Sequence, residues 1–298
     1  MNNVAAPNDF KEAPARSSEW QRFSRVFFQR KLVLFGLVIL LLLIFTATFA
    51  PLLTPYSHTS GDITESLQDP SAKHWLGTDL QGRDTLSRLI YGSRTALAVG
   101  FISVLVAGFV GVSLGLIAGF FGGITGAIIM RVMDALLSLP TILWALFIAS
   151  VLGAKGLSTV IIALSIATLP GYARVIHGLT LTVRENDYIL AQRSLGSGNW
   201  RTMLRHILPN TFPSMIVLIT LQLGALILAE AGLSFLGLGI QPPDAAWGAM
   251  VADGRRYLLQ HPLLSFAPGV AIMFVVFAFN LVGDGLRDAL DPRLRGLI

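Results

Sequence analysis

The chain has 298 residues, of which 53% are hydrophobic and only 13% charged, with a mean hydropathy of +0.67 and a formal net charge of +5. A soluble domain carries about 25% charge, so an ordinary soluble globule is excluded. The absence of cysteine excludes disulfides, thiolate metal sites and cysteine catalysis, and with no Gly-Lys-Thr phosphate loop or His-Glu-x-x-His spacing the chain is not expected to bind and hydrolyse a nucleotide by itself.

Residues 1–31 are polar, with Pro7 and Pro14, until Trp20, Phe23, Val26 and Phe27 recur at helical spacing beside Arg22, Arg25, Arg30 and Lys31. That pattern predicts a basic amphipathic helix on the membrane surface; a plain basic flank to the first span is the other reading. Six apolar runs follow, near 32–50, 96–119, 135–152, 157–172, 213–233 and 266–282. Each approaches the roughly 20 residues that cross a bilayer as a helix. The first competes with a signal peptide, since Thr48 and Ala50 faintly resemble a cleavage site. A secretory apolar core spans about 7–15 residues, so the longer run predicts a retained helix.

The second span carries small residues four apart: Ser103, Ala107, Gly111, Gly115 and Gly119. Such a row lets two helix backbones approach closely, and the partner helix could lie in this chain or in another subunit. The third and fourth spans read as a hairpin turned at Gly153-Ala154-Lys155-Gly156. Arg131 and Asp134 stand at the start of the third, spaced for an ion pair. Glu230 is the one acid deep in a late apolar run, either lining a pathway or serving a structural role. Two connections are too long for simple turns. In 51–95, Asp84 is a plausible helix start. In 234–265, Asp244 after Pro242-Pro243 predicts a short helix through Trp247 and Met250. Gln241 and Trp247 join Glu230 as candidate pathway or outer-face positions.

With six spans, 15 of the 22 Lys and Arg fall on the side of the N-terminus and seven on the other. The positive-inside rule then places both termini, the 174–210 loop and the 285–298 tail in the cytoplasm, around a 32–284 membrane domain. The 174–210 loop carries five arginines and predicts two short helices. Glu185 and Asp187 favour the first helix start through the backbone dipole. Tyr188, Ala191 and Leu195 line one face, and Gly196 can take the left-handed turn that ends a helix. Asn199 caps the second helix and Pro209 closes it, leaving Arg193, Arg201 and Arg205 exposed. A structured basic loop on a hydrophobic bundle predicts a docking surface. A membrane hydrolase is disfavoured, because Ser165, His177 and Asp134 have no catalytic spacing. An ion-driven secondary transporter is disfavoured by the lack of an internal repeat.

The segment Leu190-Ala191-Gln192-x3-Gly196-x11-Leu208-Pro209 resembles the Glu-Ala-Ala loop of binding-protein-dependent ABC importer permeases. It departs from that pattern at Leu190, where glutamate is frequent, at Gln192, where alanine is, and at His206, where isoleucine is. Further stretches are similar to the C-type permease of the dipeptide, oligopeptide and nickel branch. They are Leu76-Gly77-Thr78-Asp79, Gly82-Arg83-Asp84, Leu233 through Gly239, Pro242-Pro243 with Trp247-Gly248, and Asn280 through Pro292. The resemblance implies an all-α integral membrane protein with the six-helix, type I ABC importer transmembrane architecture, in the bacterial inner membrane. It implies that Asp187, Tyr188, Leu190, Ala191, Gln192, Arg193, Leu195, Gly196, Arg201, Leu208 and Pro209 belong to an ATPase-coupling loop. The implied partners are a second homologous permease, two ATPase subunits that bind ATP and Mg, and a periplasmic or lipid-anchored solute-binding protein. No cofactor in this chain and no nucleic acid are implied. Short peptides are the substrates implied first; nickel chelates, glutathione, opines and sugars travel on the same scaffold.

Overall fold

In hydrocarbon every backbone N–H and C=O must be satisfied internally, and each long apolar run does this as a helix. The structure, a computed structural model, describes residues 19–153 and 156–290. The start of the N-terminal segment, Ala154 and Lys155 of the expected hairpin turn, and the end of the tail lie outside the described residues. Helix α1 (Glu19–Gln29) leads into α2 (Lys31–Thr48) and the single turn α3 (Ala50–Leu53). Then come α4 (Thr85–Phe121), α5 (Gly123–Leu137), α6 (Thr141–Leu152) and α7 (Leu157–Arg184). The short α8 (Asp187–Ser194) and α9 (Asn199–Thr202) precede α10 (Leu208–Phe235), α11 (Trp247–Gly254) and α12 (Leu263–Leu290). Among the described residues five helices are long and apolar enough to cross a membrane, and six if the bent α5–α6 pair is one span.

Several boundaries differ from the sequence expectation. The run 135–152 is the second half of a broken unit, in which α5 and α6 meet at 89°. Pro140 explains the break: it lacks an N–H and pushes Leu139 out of the helical region. Pro170, by contrast, lies inside α7, which runs on to Arg184 rather than ending near 172. Asp134 pairs with Arg174 of α7, not with Arg131. Helix α11 starts at Trp247 with Ala246 as its cap, so Asp244 is not its start. Asp84 does cap α4, its Oδ2 accepting the Ser87 N–H at 2.7 Å.

The central packing unit is α4 against α7. A Cβ at Gly111 would lie 2.7 Å from Leu169 O and Tyr172 Cβ, and one at Gly119 would lie 2.7 Å from Thr180 Cβ. At Gly115 it would meet Ala173 O. Ala107 is fully buried. The small-residue row therefore faces a helix of this same chain. Around it, α2 lies on α12, where a Cβ at Gly36 would be 3.0 Å from Leu281 Cβ. Helix α1 is held to the same end of α12: Phe27 is buried there against Gly285, and Arg30 pairs with Asp288.

Gly115→Val should therefore cost about 1–3 kcal/mol of overpacking and lower the thermal midpoint of the purified protein. Gly108→Ala, on the same helix with nothing within 4 Å of the new Cβ, should not lower the midpoint and should raise it slightly, since Ala favours the helix. Equal midpoints for the two variants would contradict the seam.

Candidate functional site

The polar loop between α7 and α10 is built on a small apolar core. Ile189 of α8 is fully buried, packed in one cluster with Ile176, Met203, Ile207, Leu116 and Phe120. Met203 and Ile207 are four residues apart and so share one helix face. Arg184, at the end of α7, donates from Nη1 to Gly119 O at 2.9 Å and Phe120 O at 3.1 Å. These are carbonyls left open at the α4 C-terminus, where a cation is favoured. Arg193 lies over the Phe120 ring, 5.8 Å from its centroid. The loop is thus fixed to the C-terminal ends of both seam helices.

Helix α8 ends at a left-handed glycine: Gly196 has φ +82°, and Ser197 N donates to Gln192 O at 3.1 Å. The second helix differs from expectation. Asn199 is its first residue rather than its cap, and Gly198 occupies the cap position with no side-chain bond. Pro209 does not close it: residues Asn199–Phe235 form one 37-residue helical rod through a π turn at Met203–Ile207. Pro209 follows directly on that π turn, at the start of α10. Thr202 is wholly buried and donates to Gly198 O at 3.2 Å, so it is a structural part of the loop.

Facing outward are Asp187, Tyr188, Leu190, Ala191, Arg193, Leu195, Arg201, Arg205 and Pro209; Gln192 and Leu208 are half-buried. Leu195 is 85% exposed and Trp200 62%. Exposed aromatic and aliphatic side chains interleaved with arginine are the composition of a protein interface. Sequence reasoning found the outward residues but missed Ile189, Thr202 and Arg184 as their supports. The four-residue spacing of Met203 and Ile207 was the available signal for the inner face; nothing local marked Arg184.

The three expected pathway positions are not gathered into one site. Glu230 is 2% exposed and accepts from Ser234 Oγ at 2.7 Å, while Ser234 Oγ accepts the Ile240 N–H at 3.0 Å. It belongs to a buried bonding chain at the end of α10. Trp247 is buried as well, its Nε1 donating to Leu89 O at 2.9 Å. Gln241 is half-buried in the turn before α11. A cavity of about 780 Å³ is lined from α5, α6, α7, α10, α11 and α12, and includes Ala229, Ala231 and Gly248, chain neighbours of Glu230 and Trp247. Its wall is mostly Leu, Ile, Ala and Gly, with Thr141, Thr168 and Gln222 as side-chain polar groups.

At the end of α4 away from the loop, Arg88 ties two connections together. It is 1% exposed and donates to His58 O at 2.8 Å and to Pro243 O and Asp244 O at 3.2 Å. Beside it Arg83 Nε donates to Asp79 Oδ2 at 2.7 Å, and His74 Nδ1 lies 2.9 Å from Asp84 Oδ1. Burial pushes the Asp253 carboxyl above its usual range, against the pull of Arg83 and Arg88. A bond from Lys73 holds the Glu65 carboxyl below its usual range.

Residues 111–296 match the family described as binding-protein-dependent transport system inner membrane component. Residues 18–70 match the N-terminal transmembrane domain of oligopeptide transport permease C. A dipeptide transport system permease of Alkalihalophilus pseudofirmus is 42% identical over 278 residues, 93% of this chain and 91% of that protein. A glutathione transport system permease of Pectobacterium atrosepticum is 41% identical over 93% of this chain and 92% of that one. A di/tripeptide permease of Pseudomonas aeruginosa is 41% identical over 99% and 98%. Among solved structures, the MetNI methionine ABC transporter matches with a TM-score of 0.56 at 20% identity, covering 68% of this chain and 96% of that one. That likeness supports the helical fold alone.

Ile189→Ala should remove about 2–5 kcal/mol of packing beneath α8. Hydrogen exchange should then speed up over 187–202 while α4 and α12 stay protected. Unchanged exchange over α8 would show that Ile189 is not its anchor.

Proposed function

The chain belongs to the family of inner membrane components of binding-protein-dependent transport systems, and we propose that it forms half of the membrane pathway of an ATP-driven importer of di- and oligopeptides. The observation that carries the substrate is the set of relatives: full-length matches above 40% identity are named for dipeptides, di/tripeptides and glutathione. All are short peptides or peptide-like, and the mostly apolar cavity, with few polar groups to fix one ligand, suits a varied cargo.

In this reading a second, homologous permease completes the pathway and a solute-binding protein delivers the peptide. Two ATPase subunits bind ATP and Mg and seat the 187–209 loop. ATP-driven closure of the ATPases moves that loop, and the stiff α4–α7 pair carries the movement to the other face. The result is alternate access by a rigid-body switch between two states. The chain's own residues bind, orient and transmit; bond breaking belongs to the ATPases.

Deleting the gene for this chain should abolish uptake of a radiolabelled dipeptide by the cells, and restoring the gene should return it. Dipeptide uptake that persists at the parental rate in the deletion strain would sink the peptide assignment.

Orientation follows from the 15-to-seven division of Lys and Arg. Both termini and the loop are cytoplasmic in this reading. The cysteine-free chain permits a direct check. Asn186→Cys, expressed without the ATPases, should react with a membrane-impermeant maleimide only in broken membranes. Thr59→Cys should react in intact cells. Labelling of position 186 from outside would reverse the orientation.

A further inference from the structure

Where a glutamate is frequent in the resembling loop motif, this chain has Leu190, and its cations stand where a partner could reach them. A recess of about 360 Å³ is lined by Gln192, Leu195, Gly196, Arg201, Arg205 and His206. Arg201 and Arg205 are both exposed and lie four residues apart, on one face of the helical rod. Like charges at that spacing repel in the free chain. Neither has an ion pair among the described residues, and no acidic side chain lines the recess. The acids of the loop are used elsewhere: Glu185 pairs with Arg184, and Asp187 lies in the first turn of α8. Gly196 keeps the recess open, with nothing within 4 Å of where a side chain would start.

We propose that this recess receives a carboxylate of the ATPase subunit, so that the ionic contact of the loop runs from a permease arginine to an ATPase acid. The proposal rests on the loop being the ATPase seat. Two guanidinium forks converge on one concave site, which suits bidentate recognition of a carboxylate. Leu195 and Trp200 stand beside it as exposed apolar groups. Once covered, they would exclude water from the ionic contact and strengthen it. An anionic lipid headgroup has similar chemistry, but position favours the protein. The rod from Asn199 to Phe235 has 37 residues and is about 55 Å long, against a hydrocarbon thickness of about 30 Å. With hydrocarbon over the apolar run 213–233, Arg205 and Arg201 lie about 12 and 18 Å beyond it along the rod, past a headgroup layer of about 5–8 Å.

The test uses the assembled transporter in nanodiscs of neutral lipid, with affinity for the ATPase measured at about 50 mM and about 0.5 M salt. R201Q/R205Q should weaken ATPase binding roughly tenfold at low salt and much less at high salt. R201K/R205K should keep most of the salt dependence. L195A should weaken binding at both salts alike. If R201Q/R205Q binds like the parent at both salts while L195A is weakened, the carboxylate contact is overturned and the docking reading stands. If neither variant is weakened, the docking reading falls as well. A weakening that appears only when anionic lipid is added assigns the recess to lipid and overturns the proposal.

Discussion

The close approach of α4 and α7 is the contact on which the rest of this molecule depends. In lipid, apolar helices gain little by hiding from their surroundings, so association rests on packing and on backbones that can come close. Gly111, Gly115 and Gly119 supply that approach on α4, and the backbone of α7 from Leu169 to Thr180 fills the space. The seam is continued at both ends by polar contacts. Ser165 Oγ reaches Ser103 O at 3.4 Å at one end, and Arg184 closes on the last carbonyls of α4 at the other. Other elements are placed relative to this pair.

Seen this way, the two polar regions of the chain are mounted on one rod. Arg88, in the first turn of α4, binds the 51–84 connection and the turn before α11. Phe120, in its last turn, carries the α8 core and the Arg193 contact. A buried arginine with its charge bonded to three backbone carbonyls is costly to dislodge, so both connections are tied to the start of α4. The α5–α6 unit is different. It bends by 89° at Pro140 and lies on the wall of the large cavity, while Gly126 of α5 lets it approach Ala118 of α4.

The outward face of the 187–209 loop shows a division of labour that composition does not reveal. Ile189, Met203, Ile207 and Thr202 hold the shape from within, while Leu195, Trp200, Arg201 and Arg205 are left to solvent. Apolar side chains exposed beside unpaired cations are poor for the free chain and suited to a covered one. In the function proposed above, an ATPase subunit covers that surface.

Much of this was legible in the residues. Apolar length located the helices able to cross hydrocarbon, because that demands about 20 helical residues, but not the break between α5 and α6; the four-residue row of small side chains marked the seam helix. Gly196 was readable as a left-handed helix end because little else tolerates that backbone. What the sequence left open were questions of which groups meet. The partner of the glycine row is a helix about 60 residues further on, which no local pattern names. Pro140 breaks its helix and Pro170 does not, although the residue is the same. Glu230 looks like a site residue because an acid is rare in an apolar run, and Trp247 because of its place in the long 234–265 connection. Tertiary structure turned both inward, giving Glu230 the hydroxyl of Ser234 and Trp247 the carbonyl of Leu89. A buried polar atom must find a partner, and where that partner stands is decided only by the packed fold.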